Sequence, residues 1–354
     1  MRPVLLIGKG AECAELPKVL ELGVPVLTSW QALDLLDNHH PMYFGRPGTY
    51  GQRCANRILA EADQVISIGC RCSVWAVGYT FKPFAHVMCD IDAAETDRYP
   101  TADARNIPAA EFIGGLQAFP YSVGAEWLKR CATLRHAYPW VEGLATHQGY
   151  INPYYFIYGL ATHFAKDQII VTDTGTPYVV AHQVLRLKRP QRLIASGGLS
   201  EMGAGLPGAI GAAIGTGRSV LMLSGDGGFM MNLQELATVG KLPIKMVIFN
   251  NGGYNMIKRT QENLNMLPRG TGTPDVAMPP FGKVAEAFGI PAYTVRTWDD
   301  FDCVAYFMNS PGPALLEVFT SPTQPLLKLN PSRNADGTIH SPEFWDLTYK
   351  EVAA

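Results

Sequence analysis

The residues of this chain best equipped for chemistry are an aspartate and an asparagine at the ends of two apolar runs. The first run, Val220-Leu-Met-Leu223, reads as a buried strand that stops at Ser224-Gly225-Asp226-Gly227-Gly228. The second, Ile244 to Phe249, stops at Asn250-Asn251-Gly252-Gly253-Tyr254. Between them, Met231, Leu233, Leu236, Ala237 and Val239 carry helical spacing. Such a strand–helix–strand unit places Asp226 and Asn251 at the carboxyl ends of two parallel strands, the edge where α/β sheets bind ligands. Their hard oxygens suit Mg²⁺ or Ca²⁺ and not a thiophilic metal. Mg²⁺ prefers one or two side chains together with water and ligand phosphate oxygens, and a carbonyl from Gly252-Gly253 could complete the set. Gly227 and Gly228 let the backbone approach a ligand, and the first N–H groups of the following helix suit a phosphate. The two halves together read as a site for a metal-bridged diphosphate. Each half alone also has a plainer reading, Gly225-Asp226-Gly227 as a turn and Asn251-Gly252 as a type I′ hairpin.

In this order, with a helix between them, Gly225-Asp226-Gly227 and Asn250-Asn251 resemble the signature of thiamin-diphosphate enzymes, and the chain is similar to their acetolactate synthase branch. The resemblance implies thiamin diphosphate and Mg²⁺ as cofactors. It implies Asp226, Asn251 and Gly253 as metal ligands, with Gly225, Gly227, Gly228, Tyr254 and Met256 around the cofactor. Two further stretches gain roles from it. Ile169-Ile-Val171 reads as a strand ending at Thr172-Asp-Thr-Gly-Thr176, and Thr174, Gly175 and Thr176 fall where the family contacts the diphosphate; otherwise this is an ordinary turn. In Ile194-Ala-Ser-Gly-Gly-Leu-Ser-Glu-Met-Gly-Ala-Gly-Leu-Pro, Met202 matches the methionine that wedges beneath the cofactor and bends its two rings into a V. Ser200 stands where the family has a glycine whose carbonyl meets the aminopyrimidine. Glu201 has no family role and reads as a solvated or interface carboxylate. A small-residue helix over 209–214 follows. The segment after Tyr254 resembles the one that covers the thiazolium, but Thr260 stands where biosynthetic acetolactate synthases carry an acceptor-selecting tryptophan. The stretch Val239-Gly-Lys-Leu-Pro243 is shorter than the family's, so the crossover is trimmed.

The elements that must position these residues read as α/β, with two doubly wound parallel-sheet domains. Residues 1–120 form a Rossmann-like middle domain, 121–150 a linker with a helix over 125–136, 151–322 the diphosphate domain, and 323–354 a carboxyl-terminal arm. Strands are expected at 4–7, 24–27, 64–68 and 86–91, and helices through Leu16, Val19, Leu20 and Leu22 and over 55–62. Asn152-Pro153 begins a helix as N-cap and first-turn proline. Further on, 281–288 and 300–308 read as helices and 292–295 and 314–319 as strands. Gly8-Lys-Gly10 follows a strand but lacks the third glycine of a dinucleotide fingerprint, so a tight strand–helix turn is the default. Some relatives hold FAD in the middle domain, and Arg71 falls at a flavin-contacting arginine; FAD stays open.

The chain has 354 residues, is 47% hydrophobic and carries a net charge of −2. That is enough for two cores and offers no basic surplus for nucleic acid. No apolar run reaches the roughly twenty residues of a membrane helix. The amino terminus is a strand and too short for a signal sequence. Seven scattered cysteines, an odd number, read as free thiols in a cytoplasmic protein. No His-x-x-x-His or Cys-x-x-Cys cluster suggests zinc, and an NAD-linked oxidoreductase would leave Asp226 and Asn251 unexplained. The family's activating glutamate belongs to a pyrimidine-binding domain, and no glutamate here fits it. The expectation is one subunit of a split 2-keto acid decarboxylase/carboligase, with a separate pyrimidine-domain subunit and two of each chain. The alternatives are a fragment, a simple 2-keto acid decarboxylase, or a non-catalytic thiamin-diphosphate-binding subunit.

Overall fold

A computed structural model describes the chain apart from residues 79–80, 82, 119–122, 142–148, 264–265, 331, 334–337, 341 and 350–354. Part of the expected linker and part of the expected arm lie outside the described residues. The chain divides into two compact units, Met1–Glu142 with Arg186–Arg189 and Leu327–Lys350, and Gly143–Leu185 with Pro190–Leu326 and Glu351–Ala354. Each is an α/β unit built on a six-stranded parallel sheet.

The first unit orders its strands β3-β2-β1-β4-β5-β6: β1 Pro3–Ile7, β2 Val26–Thr28, β3 Tyr43–Gly45, β4 Gln64–Ile68, β5 Ala85–Cys89 and β6 Asp103–Arg105. The central β1 is buried at every position, which its continuous apolar run requires in a sheet covered on both faces. The short β3 and β6 escaped the sequence pattern. β6 is Asp-Ala-Arg and exposed, with no apolar signal to read. Leu16–Leu22 is 3₁₀ rather than α-helical.

Gly8 and Gly10 form the tight turn expected by default, and the reason is a close crossing. A Cβ on Gly8 would lie 2.0 Å from the Gly69 carbonyl oxygen, and Gly10 N–H donates to that oxygen at 3.0 Å. The ends of β1 and β4, the point where strand order reverses, are closed by their own backbone. Arg71 is held out at the surface by Glu95, at 3.1 Å. FAD gains no support from this edge.

The expected helix over 125–136 is present as Ala125–Ala137. Trp127 Nε1 donates to Pro3 O at 2.9 Å, and Arg130 grips Glu61 with two bonds of 2.8 and 2.6 Å. Residues of the carboxyl-terminal stretch pack in this unit too. Phe344 lies against Gly78, and its carbonyl accepts from Asn56 Nδ2 at 2.8 Å.

The second unit orders its strands β11-β12-β10-β9-β7-β8: β7 Ile169–Thr172, β8 Arg192–Ala195, β9 Val220–Gly225, β10 Ile244–Asn250, β11 Ala292–Val295 and β12 Ala314–Phe319. From β7 the chain runs outward to β8 and then returns to β9 on the other side. The order therefore reverses between β7 and β9, and the crevice outside their carboxyl ends is the position for a ligand. Asn152 caps the helix Pro153–Leu160, accepting from Tyr154 N at 2.9 Å, with Pro153 in the first turn. The small-residue helix runs Gly205–Thr216, longer than expected.

The single crossover helix expected after Asp226 is broken into Asp226–Met231, a 3₁₀ turn Leu233–Glu235, and Leu236–Val239. The break falls at Asn232, whose side-chain amide donates to Gly203 O at 2.9 Å instead of facing solvent. Met231, expected on the core face, is 46% exposed.

Candidate functional site

Three loops meet at the carboxyl edge of the second unit's sheet, following β7, β9 and β10. β9 ends at Gly225, and the next residue, Asp226, is only 1% exposed. Its Oδ1 accepts from Gly227 N at 2.8 Å, and its Oδ2 from Asn251 N at 3.1 Å and Gly253 N at 2.9 Å. Burial pushes the carboxyl up to about 6, while these amides favour the ionised form and offset part of that rise. The N–H groups of Asn251 and Gly253 thus bind the residues after β10 to the end of β9.

Asn251 uses its backbone in this clamp and leaves its side chain out of it. Asn251 Oδ1 is buried and has no hydrogen-bond partner among the described residues. A buried carbonyl oxygen without a donor is costly, which favours a cation or water there. Gly253 O accepts from Asn255 N at 3.1 Å and keeps a second lone pair. Gly253 must be glycine, because at φ +153° a Cβ would lie 2.0 Å from Thr271 O, where it bridges to Gly272. Among the described residues no three His, Cys, Asp or Glu side chains form a metal-binding group. A carboxylate, an unpartnered amide oxygen and a main-chain carbonyl fit Mg²⁺, which takes few protein ligands and completes its shell with phosphate and water.

Asp173, not among the residues singled out from the sequence, joins three of the cofactor-facing stretches: the turn after β7, the loop after β8 and the end of β9. It follows β7 and is 1% exposed. Its Oδ1 accepts from Thr174 N at 2.8 Å and Gly203 N at 3.0 Å, and its Oδ2 from Ser224 Oγ at 2.9 Å. Burial raises this carboxyl as well, against those hydrogen bonds. Gly228 comes so close that a Cβ on it would lie 2.5 Å from Asp173 Oδ2. The available signal was the pattern itself: an acid among short hydroxyls at the end of a buried strand, as at Ser224-Gly-Asp226.

The remaining expected residues fall around this edge. Gly175, at φ +99°, is the N-cap of the helix Thr176–Val184, and no side chain caps it. The N–H groups of Gly175 and Thr176 are therefore available to an anion, while that of Thr174 is taken by Asp173. Met202 is half-buried, and the next residue, Gly203, is fixed on both sides by Asp173 and Asn232. The Tyr254 ring covers Gly227, 2.4 Å from where a Cβ would sit. Ser200 adopts φ +56°, a left-handed conformation in which glycine is unstrained, which explains the glycine expected there. Met256 lies in the first turn of the helix Asn255–Asn263; no described contact ties it or Ser200 to the others. Glu201 is exposed, as is Thr260, whose Oγ1 bonds Met256 O at 2.9 Å. A cavity of about 300 Å³ opens beside the corner, lined by Asn251, Gly253, Asn255, Lys258 and Thr271 among others, and Asp226 lies outside its lining.

Paired doubly wound sheets, one carrying a buried carboxylate–amide corner at its switch point, define a cofactor-binding α/β protein. Comparison with known families narrows the class. Residues 1–116 match the central domain of thiamine pyrophosphate enzymes, and residues 173–318 match their C-terminal TPP binding domain. The chain belongs to this family. It is 34% identical over 342 residues to acetolactate synthase isozyme 1 large subunit of Escherichia coli, covering 90% of this chain and 58% of that one. It is 31% identical over 354 residues to a probable acetolactate synthase large subunit of Methanocaldococcus jannaschii, covering 93% of this chain and 59% of that one. The chain thus spans less than two thirds of the relatives it matches.

Proposed function

We propose that this chain binds the diphosphate and metal of a thiamin-diphosphate- and Mg²⁺-dependent 2-keto acid decarboxylase/carboligase, similar to acetolactate synthase. The observation that carries this reading is the corner itself. Asp226 is clamped by the amides of Gly227, Asn251 and Gly253, while Asn251 Oδ1 remains buried without a partner. Asp226, Asn251 and Gly253 O would hold the cation. The N–H groups of Gly175, Thr176 and Gly228 would hold the diphosphate, Thr174 and Gly227 would shape the two turns through their bonds to Asp173 and Asp226, and Met202 would support the ring system. When bound, thiamin diphosphate supplies the nucleophilic carbon and electron sink that 2-keto acid decarboxylation requires. The residues of this chain bind that group, orient it and shield its phosphates from water.

The activating glutamate is supplied, in this reading, by the pyrimidine-binding domain of a partner subunit, in a hetero-oligomer with two of each chain. Apolar side chains standing out at the cofactor edge support such a partner: Leu199 is 84% exposed, Met231 46% and Ile257 42%. We place the protein in the cytoplasm, in keeping with seven cysteines that are all free thiols. Among the described residues no helix is long and apolar enough to cross a membrane.

Titration calorimetry tests the site. Wild type should bind thiamin diphosphate only with Mg²⁺ present, and Asp226→Ala should lose that binding. Unchanged binding by the variant would remove the site. Incubation with pyruvate, with and without the partner subunit, followed by product identification, tests the rest, because turnover by this chain unaided would contradict the partner.

A further inference from the structure

The chain ends β10 with two consecutive asparagines, and only Asn251 reaches the corner with a free oxygen. Asn250 has both ends of its amide occupied. Its Oδ1 accepts from Gly252 N at 3.0 Å, and its Nδ2 donates to Glu317 Oε1 at 2.7 Å. Glu317 is 3% exposed in the middle of β12, which pairs with β10 on one side and β11 on the other. Its Oε2 accepts from Gly282 N at 3.2 Å, at the start of the helix Phe281–Ala287. Both carboxylate oxygens thus accept from neutral donors, deep in a sheet whose neighbouring β12 positions are Leu315, Leu316 and Val318.

A buried carboxylate costs several kcal/mol to desolvate, and an apolar side chain would be cheaper in that position. The carboxylate does offer a property that an apolar or amide side chain lacks: it can only accept. It therefore forces the NH₂ of Asn250 toward itself and the carbonyl oxygen of Asn250 toward Gly252. That second bond curls the chain at Gly252, φ +82°, so that Asn251 N and Gly253 N both reach Asp226 Oδ2. The same curl buries Asn251 Oδ1 with its lone pairs unclaimed.

We infer that Glu317 and Asn250 are positioning residues for the cation site, a relay in which an acceptor-only side chain fixes the amide orientation that shapes the 251–253 corner. The inference rests on the proposed reading that Asp226, Asn251 and Gly253 hold Mg²⁺. Neither residue touches the ion; each acts through Gly252.

Glu317→Gln keeps the shape of the side chain and removes only its acceptor-only character. One glutamine orientation sets an NH₂ against Gly282 N–H, and the other sets it against the Asn250 NH₂. Partners of metal ligands typically govern affinity by about tenfold to a hundredfold, and a loss of that size is expected in Mg²⁺ affinity, read by calorimetry at saturating thiamin diphosphate on the full chain. The melting temperature without Mg²⁺ is measured alongside. Asn250→Ala should give a similar loss, and the double variant should be no weaker than either single one, because the two residues act as one unit. Should Glu317→Gln fail to fold, Asn250→Ala carries the test alone. Mg²⁺ affinity equal to wild type, or a lowered melting temperature with affinity unchanged, overturns the relay. Asp226→Ala separates the two levels. If it leaves Mg²⁺-dependent binding intact, the site itself is wrong; if it abolishes binding while Glu317→Gln does nothing, only the relay is wrong.

Discussion

The two sheets of this chain share a plan and differ at one edge. In the first unit, the ends of β1 and β4 meet with a backbone crossing so tight that a single Cβ on Gly8 would collide with Gly69 O. The strand ends there satisfy each other, Gly8 N donating to Ile68 O at 2.9 Å and Gly10 N to Gly69 O at 3.0 Å. In the second unit, the ends of β7, β9 and β10 hold two buried carboxylates, an unpartnered amide oxygen and a helix start without a side-chain cap. The doubly wound topology offers a crevice in both. What separates them is which polar groups the fold leaves unsatisfied. A strand edge becomes a site where the protein has spent stability on groups that only a ligand completes.

That contrast can be broken experimentally, and the largest effect belongs to Asp226→Ala. Losing the one carboxylate of the corner should weaken Mg²⁺-dependent cofactor binding by more than about a hundredfold in calorimetry, a larger loss than for the outer partners of a metal site. Asp173→Ala should damage both folding and binding. It strands the N–H donors of Thr174 and Gly203 at about 1–3 kcal/mol each, while Ser224 Oγ keeps the Gly225 carbonyl, so a fall of at least about 2 kcal/mol in urea-unfolding stability is expected. Stability equal to wild type would mean that the three loops do not depend on it.

Gly8→Ala probes the other edge. The methyl group must displace backbone, at about 1–3 kcal/mol, yet cofactor affinity of the folded protein should stay at the wild-type value. A change in affinity would show that the first edge contributes to the site.

The mildest effect is on pH. Burial raises Asp226 from the usual carboxylate range to about 6, so the unliganded folded state holds a proton that the unfolded chain releases. Stability of the metal-free protein should therefore rise as pH falls from about 7 through 6. Cation binding needs the ionised form and should weaken over the same interval, by up to about tenfold per pH unit below 6. The melting-temperature gain from Mg²⁺ and thiamin diphosphate should shrink from pH 7.5 to 5.5. A gain that is constant across that range would count against Asp226 as the ligand.

Much of this was legible beforehand because it depends on short-range pattern. Strands 64–68, 292–295 and 314–319 appear as read, since apolar runs bounded by turn residues carry that information locally. The Asn152-Pro153 helix start is equally local. Where the reading fell short, a distant partner intervened. The crossover helix broke at Asn232 because its amide serves Gly203, twenty-nine residues away. β6 was missed because an exposed edge strand of Asp-Ala-Arg has no apolar alternation.

By itself, the sequence determined the parallel sheets, the strand ends on which Asp226 and Asn251 fall, and the glycines that admit a ligand. These follow from hydrophobic period and residue type over a dozen positions. Only the tertiary structure decided that Asn250 and Asn251 do different work, that Asp173 ties three loops together, and that the Gly8 turn is sealed. Each of those outcomes depends on whether a buried donor or acceptor finds a partner tens of residues away, and a one-dimensional pattern does not encode that pairing.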